Sequence, residues 1–88
     1  MDNRRVHTRS PLKVQLRIEH PLHGELMVTT RDISESGVFV VVDDAQSLLK
    51  IGEVVRGQVQ GLPIPAPVVQ MCVVRFEPSG VGLVFQRD

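Results

Sequence analysis

From Lys13 to Glu19 apolar and polar residues alternate without a break, with Val14, Leu16 and Ile18 on one side and Gln15, Arg17 and Glu19 on the other. A period of two marks a half-buried strand. His20-Pro21-Leu22-His23-Gly24 supplies turn chemistry, and Glu25 to Arg31 returns with Leu26, Val28 and Thr30 on one side, which predicts a hairpin. Val38 to Val42 is apolar on both faces. Such a strand is either central in a closed sheet or covered on its outer face by something else. Asp43 to Lys50 is the one helical stretch, a short turn near residues 44–50 with Asp43 or Asp44 as its cap and Leu48-Leu49 tucked under the sheet. Glu53 to Gln60 predicts a fourth strand. The three prolines of Leu62–Pro67 remove ladder donors, so that segment reads as a connector or a sheet edge. Val68 to Glu77 predicts a fifth strand, turned at Pro78-Ser79-Gly80, and Val81 to Phe85 a sixth with Leu83 and Phe85 inward.

Six short strands with turn signals between them predict an all-β fold, a six-stranded antiparallel, Greek-key-like β-barrel. Closure also removes the sheet edges through which so Val-rich a chain would aggregate. Residues 1–10 are polar, Arg-rich and without either period, and are expected to form a flexible N-terminal arm ended by Pro11, with the barrel over 11–88. Taken alone, without the second motif, the arm reads more readily as a disordered leader.

Composition narrows the function more than the fold. The 88 residues make one domain, and an apolar fraction of 42% is too high for disorder. Formal net charge is zero, so no whole-molecule field draws the chain to DNA, RNA or an anionic membrane. A barrel that binds single-stranded nucleic acid also needs exposed stacking platforms, whereas Phe39, Phe76 and Phe85 all lie in apolar runs. No apolar stretch approaches the ~20 residues of a membrane helix, and the polar start has no secretory character, so the cytoplasm is the expected place. The single Cys72 lies in an apolar run and is expected to be a buried strand residue. His7, His20 and His23 fall in arm or turn segments and are expected to be exposed. With no metal-ligand cluster and no nucleophile–base pairing, an enzyme is not expected, and neither a catalytic residue nor a cofactor is assigned.

Two segments carry candidate chemistry: Arg5-Val6-His7-Thr8-Arg9 in the arm and Asp32-Ile33-Ser34-Glu35-Ser36-Gly37 between two predicted strands. The cations are biased, eight Arg against two Lys, and Arg offers a planar fork where Lys offers a point charge. In an extended arm Arg5 and Arg9 share a side, roughly 13 Å apart, from where long side chains can converge on one anion or hold its two ends. A guanidinium pairs bidentately with phosphate oxygens or with guanine O6 and N7, and stacks flat on a purine. Asp32 is the complement, a carboxylate that matches the N1–H and N2–H donors of guanine. Ser34 can reach a phosphate or the base, and Gly37 offers a positive φ and a low turn for a ligand to approach. Guanine plus phosphate is what this set of groups can bind.

Arg-x-x-x-Arg followed by Asp-x-Ser-x-x-Gly, in this order and on these elements, resembles the PilZ domain family, a bacterial receptor module for cyclic di-GMP. The resemblance extends over nearly the whole chain: Leu49-Lys50-Ile51-Gly52-Glu53-Val54 is similar to a family segment, and Val73-Val74-Arg75 with Val81-Gly82-Leu83-Val84-Phe85 is similar to its closing pair of strands. It implies that Arg5 and Arg9 hold the guanines and phosphates of cyclic di-GMP, and that Asp32, Ser34 and Gly37 line the barrel side of the pocket. Arg4 is a third guanidinium, in place to stack on a second ligand molecule or simply solvated. Arg75 is a weaker candidate and His7 receives no role. Family members often continue into a C-terminal helix, whereas this sequence stops three residues after Phe85, which leaves a face open for a homodimer. The mechanism so implied is a receptor whose arm conformation or oligomeric state changes with the nucleotide and is read by a protein partner. The alternative is an adaptor that binds protein partners without nucleotide.

Overall fold

The computed structural model describes residues 10–86. Seven strands and one short helix follow one another: β1 (Ser10–Pro11), β2 (Gln15–His20), β3 (Gly24–Ile33), β4 (Gly37–Val41), α1 (Ala45–Leu48), β5 (Val54–Val59), β6 (Val69–Glu77) and β7 (Gly80–Phe85). They form one antiparallel sheet in the order β1-β3-β2-β5-β6-β7-β4, and the additional β3–β4 pairing closes six of them into the expected barrel. The barrel consists of two meanders, β2-β3-β4 and β5-β6-β7, joined along two seams where β2 pairs with β5 and β4 with β7. Only the connection from β4 to β5 has to cross an end of the barrel, and it carries α1. No helix among the described residues is long and apolar enough to cross a membrane.

The alternation read from the sequence fills the interior. Leu16, Ile18, Val28, Val38, Val40, Val55, Met71, Val73, Val81 and Leu83 form the buried cluster, and Ala45 and Leu49 close one end of it from the α1 connection. Phe85 packs against the cluster from the other end. There an apolar cavity of about 190 Å³ opens among Leu16, Ile33, Val38, Val59 and Phe85 beneath the Pro-rich loop at Ala66-Pro67.

Several details differ from the expectations. An extra strand, β1, pairs Ser10 with Ile33 and Pro11 with Asp32, so the tenth residue of the expected arm belongs to the sheet. The remainder of that arm, with Arg4, Arg5, His7 and Arg9, lies outside the described residues. Asp44 stands at the N-cap of α1, but in the left-handed region (φ 60°) and without a capping bond from its side chain. Cys72 is only half-buried, because Met71 and Val73 on either side of it take the inward positions and leave it on the outer face. His20 is buried rather than exposed. Its Nδ1 accepts hydrogen bonds from the backbone N–H groups of Leu22 and His23, which ties down the β2–β3 turn. Its Nε2 faces the Glu53 carboxylate at 2.8 Å, away from the line of a good hydrogen bond.

Gly37 is needed for a reason other than the one expected. The glycines with positive φ are Gly24, Gly52 and Gly61, and Gly37 is not among them. A Cβ at Gly37 would instead lie 2.2 Å from the carbonyl oxygen of Leu83 on the neighbouring β7. Backbone cannot yield as a flexible side chain can. Gly37→Ala is therefore expected to lower the melting temperature by roughly 10 °C or more, as overpacking of about 1–3 kcal/mol does in a domain of this size. A thermal melt checks this.

Candidate functional site

The segment Thr30–Gly37 gathers most of the polar chemistry on one side of the barrel. Its geometry begins with a β-bulge: Thr30 pairs with Val40 and Asp32 with Phe39, so Arg31 is an extra residue in the β3 ladder. A bulge of this kind turns two consecutive side chains to the same face. Thr30 and Ile33 keep their inward places, while Arg31 and Asp32 both lie on the outer surface. β6 has a matching irregularity, with Val73 opposite Leu83 and Arg75 opposite Gly82. Val74 and Arg75 consequently both lie outward. The row Asp32–Phe39–Gly82–Arg75 runs across four strands between the two bulges.

Phe39 is the centre of that row. It points away from the interior yet has no exposed surface. Gly80 leaves room for its ring, since a Cβ there would meet the ring at 3.0 Å and the Val40 carbonyl oxygen at 2.0 Å. From outside, the guanidinium of Arg31 stacks 3.7 Å from the ring centroid and that of Arg75 lies at 5.7 Å. Cation–π contact of this kind covers an apolar ring with a group that remains hydrated at its edge. This is the outer cover that the doubly apolar β4 run required.

Two carboxylates hold the guanidinium groups in place. Arg31 Nε donates to Asp32 Oδ2 at 3.0 Å, and its Nη1 lies 3.6 Å from Glu77 Oε1. Arg75 Nε donates to the other Glu77 oxygen, Oε2, at 3.0 Å. The Asp32 hydrogen bond, with the Asp32 and Glu77 charges, outweighs the opposing effect of burial and keeps Arg31 more firmly protonated than an isolated arginine. The Arg75 hydrogen bond, with the Arg31 and Arg75 charges, outweighs the opposing effect of burial and holds the Glu77 carboxyl below its ordinary range. A groove lined by Lys13, Thr29, Arg31 and Val41 runs beside this cluster.

The turn that follows is built by Ser34. Its hydroxyl accepts from the backbone N–H groups of Ser36 and Gly37 at 3.2 and 3.3 Å and lies 3.1 Å from the Ser36 hydroxyl. Its N–H donates to the Gly37 carbonyl oxygen at 2.9 Å. A serine at this position closes the turn on itself. Its hydroxyl is engaged within the turn rather than reaching outward. The Ser36 carbonyl accepts from Phe85 N–H at 2.8 Å, which pins the turn to the end of β7.

The lead-in strand meets this site directly. Leu12 N–H donates to the Arg31 carbonyl oxygen. The buried Thr30 hydroxyl donates to Leu12 O and accepts from Val14 N–H at 3.0 Å. With Pro11 opposite Asp32, the chain that carries the arginine motif enters the described structure alongside the second motif. Of the six residues singled out from sequence, Asp32, Ser34 and Gly37 lie together in and beside the single β3–β4 turn, and Arg4, Arg5 and Arg9 lie outside the described residues.

Arg31, Phe39 and Glu77 were not singled out from sequence. The signal for them is the arginine directly before the motif aspartate, and the alternating glycines of Gly80-Val81-Gly82, of which Gly80 leaves space for the Phe39 ring and Gly82 for the Arg75 side chain.

Thr30→Val keeps the shape of the side chain but leaves Leu12 O and Val14 N–H without this partner. A loss of about 1–3 kcal/mol is expected, read by denaturant unfolding, with faster tryptic cleavage after Lys13. Thr30→Ser should restore most of both.

The PilZ domain family model matches residues 3–88. Among solved structures, the Bacillus subtilis inhibitor of motility MotI/DgrA is similar in fold, with a TM-score of 0.74 and 22% sequence identity, over 96% of this chain and 43% of that one. The chain thus spans less than half the length of that protein. No curated protein matches it. With the match running over all but residues 1–2 and the barrel closed as the motif order requires, the chain belongs to the PilZ domain family.

Proposed function

We propose that this domain is a receptor for cyclic di-GMP and acts by binding rather than by catalysis. The observation that supports the reading is the pairing of Ser10 with Ile33 and Pro11 with Asp32, so that the residue directly after the arginine motif in sequence lies beside the Asp32–Gly37 segment. Arg5 and Arg9 pair with guanine edges and phosphates, and Asp32 takes the guanine N1–H and N2–H. Ser34 and Gly37 shape the wall of the pocket. Arg4 stacks on a second nucleotide if two bind.

Binding draws the arm over the outer face and changes its conformation, or the oligomeric state of the protein, in the cytoplasm. Ordering costs roughly 1–2 kcal/mol per backbone residue, which the arginine contacts have to exceed. A protein partner then reads the altered surface. A second reading, an adaptor that binds protein without nucleotide, is favoured by the exposed Val54, Val74 and Val84 on the outer face.

Calorimetric titration with cyclic di-GMP, with GTP and cyclic di-AMP as controls, separates the two. Saturable binding of cyclic di-GMP alone supports the receptor, and its stoichiometry reports on Arg4. No heat and no thermal shift near a millimolar excludes any affinity stronger than about −4 kcal/mol and leaves the adaptor. Arg9→Ala should abolish binding while barely moving the melting temperature. Asp32→Ala should weaken binding and is read beside a melt, because Asp32 also pairs with Arg31.

A further inference from the structure

We infer that Arg31, which belongs to neither motif, is the positioning residue of Asp32 and thereby sets the selectivity of the site for guanine. The inference rests on the receptor reading. Asp32 can distinguish guanine only if its carboxylate presents two acceptors at a fixed angle to the paired N1–H and N2–H donors. A surface aspartate beside a turn has rotamers to choose from. The 3.0 Å bond from Arg31 Nε to Oδ2 favours one of them, and the Asp32 side chain is only 15% exposed.

Arg31 is itself held from three directions. The Cζ of its guanidinium lies over the Phe39 ring, 3.7 Å from the centroid, its Nη1 faces Glu77, and the β3 bulge fixes its backbone next to that of Asp32. The ring beneath it is fully buried, with Gly80 leaving room for it. Lysine could supply the charge but neither the stacking nor the Nε donor at this angle.

The test compares cyclic di-GMP with its inosine analogue, cyclic di-IMP, which lacks the 2-amino group and so the N2–H donor. Wild-type protein is expected to prefer cyclic di-GMP by roughly tenfold to hundredfold, as a charge-assisted hydrogen bond implies. In Arg31→Ala and in Arg31→Lys that preference should fall by about tenfold, because cyclic di-GMP loses the contacts at both N1–H and N2–H while cyclic di-IMP loses only the one at N1–H. A merely structural role would weaken both ligands alike and leave the ratio intact. Phe39→Leu, which keeps an apolar cover but removes the stacking surface, should lower the ratio in the same direction and serves if the Arg31 variants do not fold. An unchanged ratio in the folded variants, or full selectivity in Arg31→Lys, overturns the inference while the receptor reading stands. Failure of the wild-type protein to bind cyclic di-GMP overturns both.

Discussion

One extra residue in β3 governs the outer face of this barrel. In a regular ladder Arg31 and Asp32 would take opposite sides, and one charged group would enter an interior formed by Leu16, Val28, Val38 and Val40. The bulge between Thr30 and Asp32 places both outside and leaves Thr30 and Ile33 facing inward. The stacking on Phe39, the Asp32 pairing and the reach to Glu77 all follow from that placement.

The inward side of the same segment is equally constrained. A threonine hydroxyl in an apolar barrel has to find partners, and Thr30 finds them in Leu12 and Val14. The lead-in chain is therefore stitched to β3 by a side chain from within and by the Leu12–Arg31 backbone bond. The site and its approach are held by the same three residues, Thr30, Arg31 and Asp32.

Strand number, order and facing were legible because an alternating pattern leaves few ways to bury Val and Leu. The six barrel strands appear where the alternation put them, and the Pro-rich Leu62–Pro67 stays out of the ladder. The bulges were not legible, since an extra residue leaves no mark in a local apolar count when both of its neighbours suit a surface. His20 was misjudged because turn residues are usually exposed, and its burial depends on Glu53, which is distant in sequence. Cys72 was misjudged because an apolar run shows that residues pack without showing which face they take. Gly37 was identified correctly as a constrained position but for the wrong reason: the constraint is the close approach of Leu83 from β7, a contact no local pattern contains.

The two seams have a consequence for how the domain assembles. Hairpins within each meander join neighbouring segments and form early, whereas the β4–β7 seam pairs residues 39 to 47 positions apart, Val41 with Gly80 and Gly37 with Val84, and has to overcome a larger loop-closure entropy. The Ser34–Gly37 turn lies on that seam, with Gly37 opposite Val84 and the Ser36 carbonyl bonded to Phe85. A nascent chain that has made only its first meander holds every residue of the turn in sequence but not its shape. The candidate site takes its shape only when β7 docks, so that shape arises together with the closed fold and not before it.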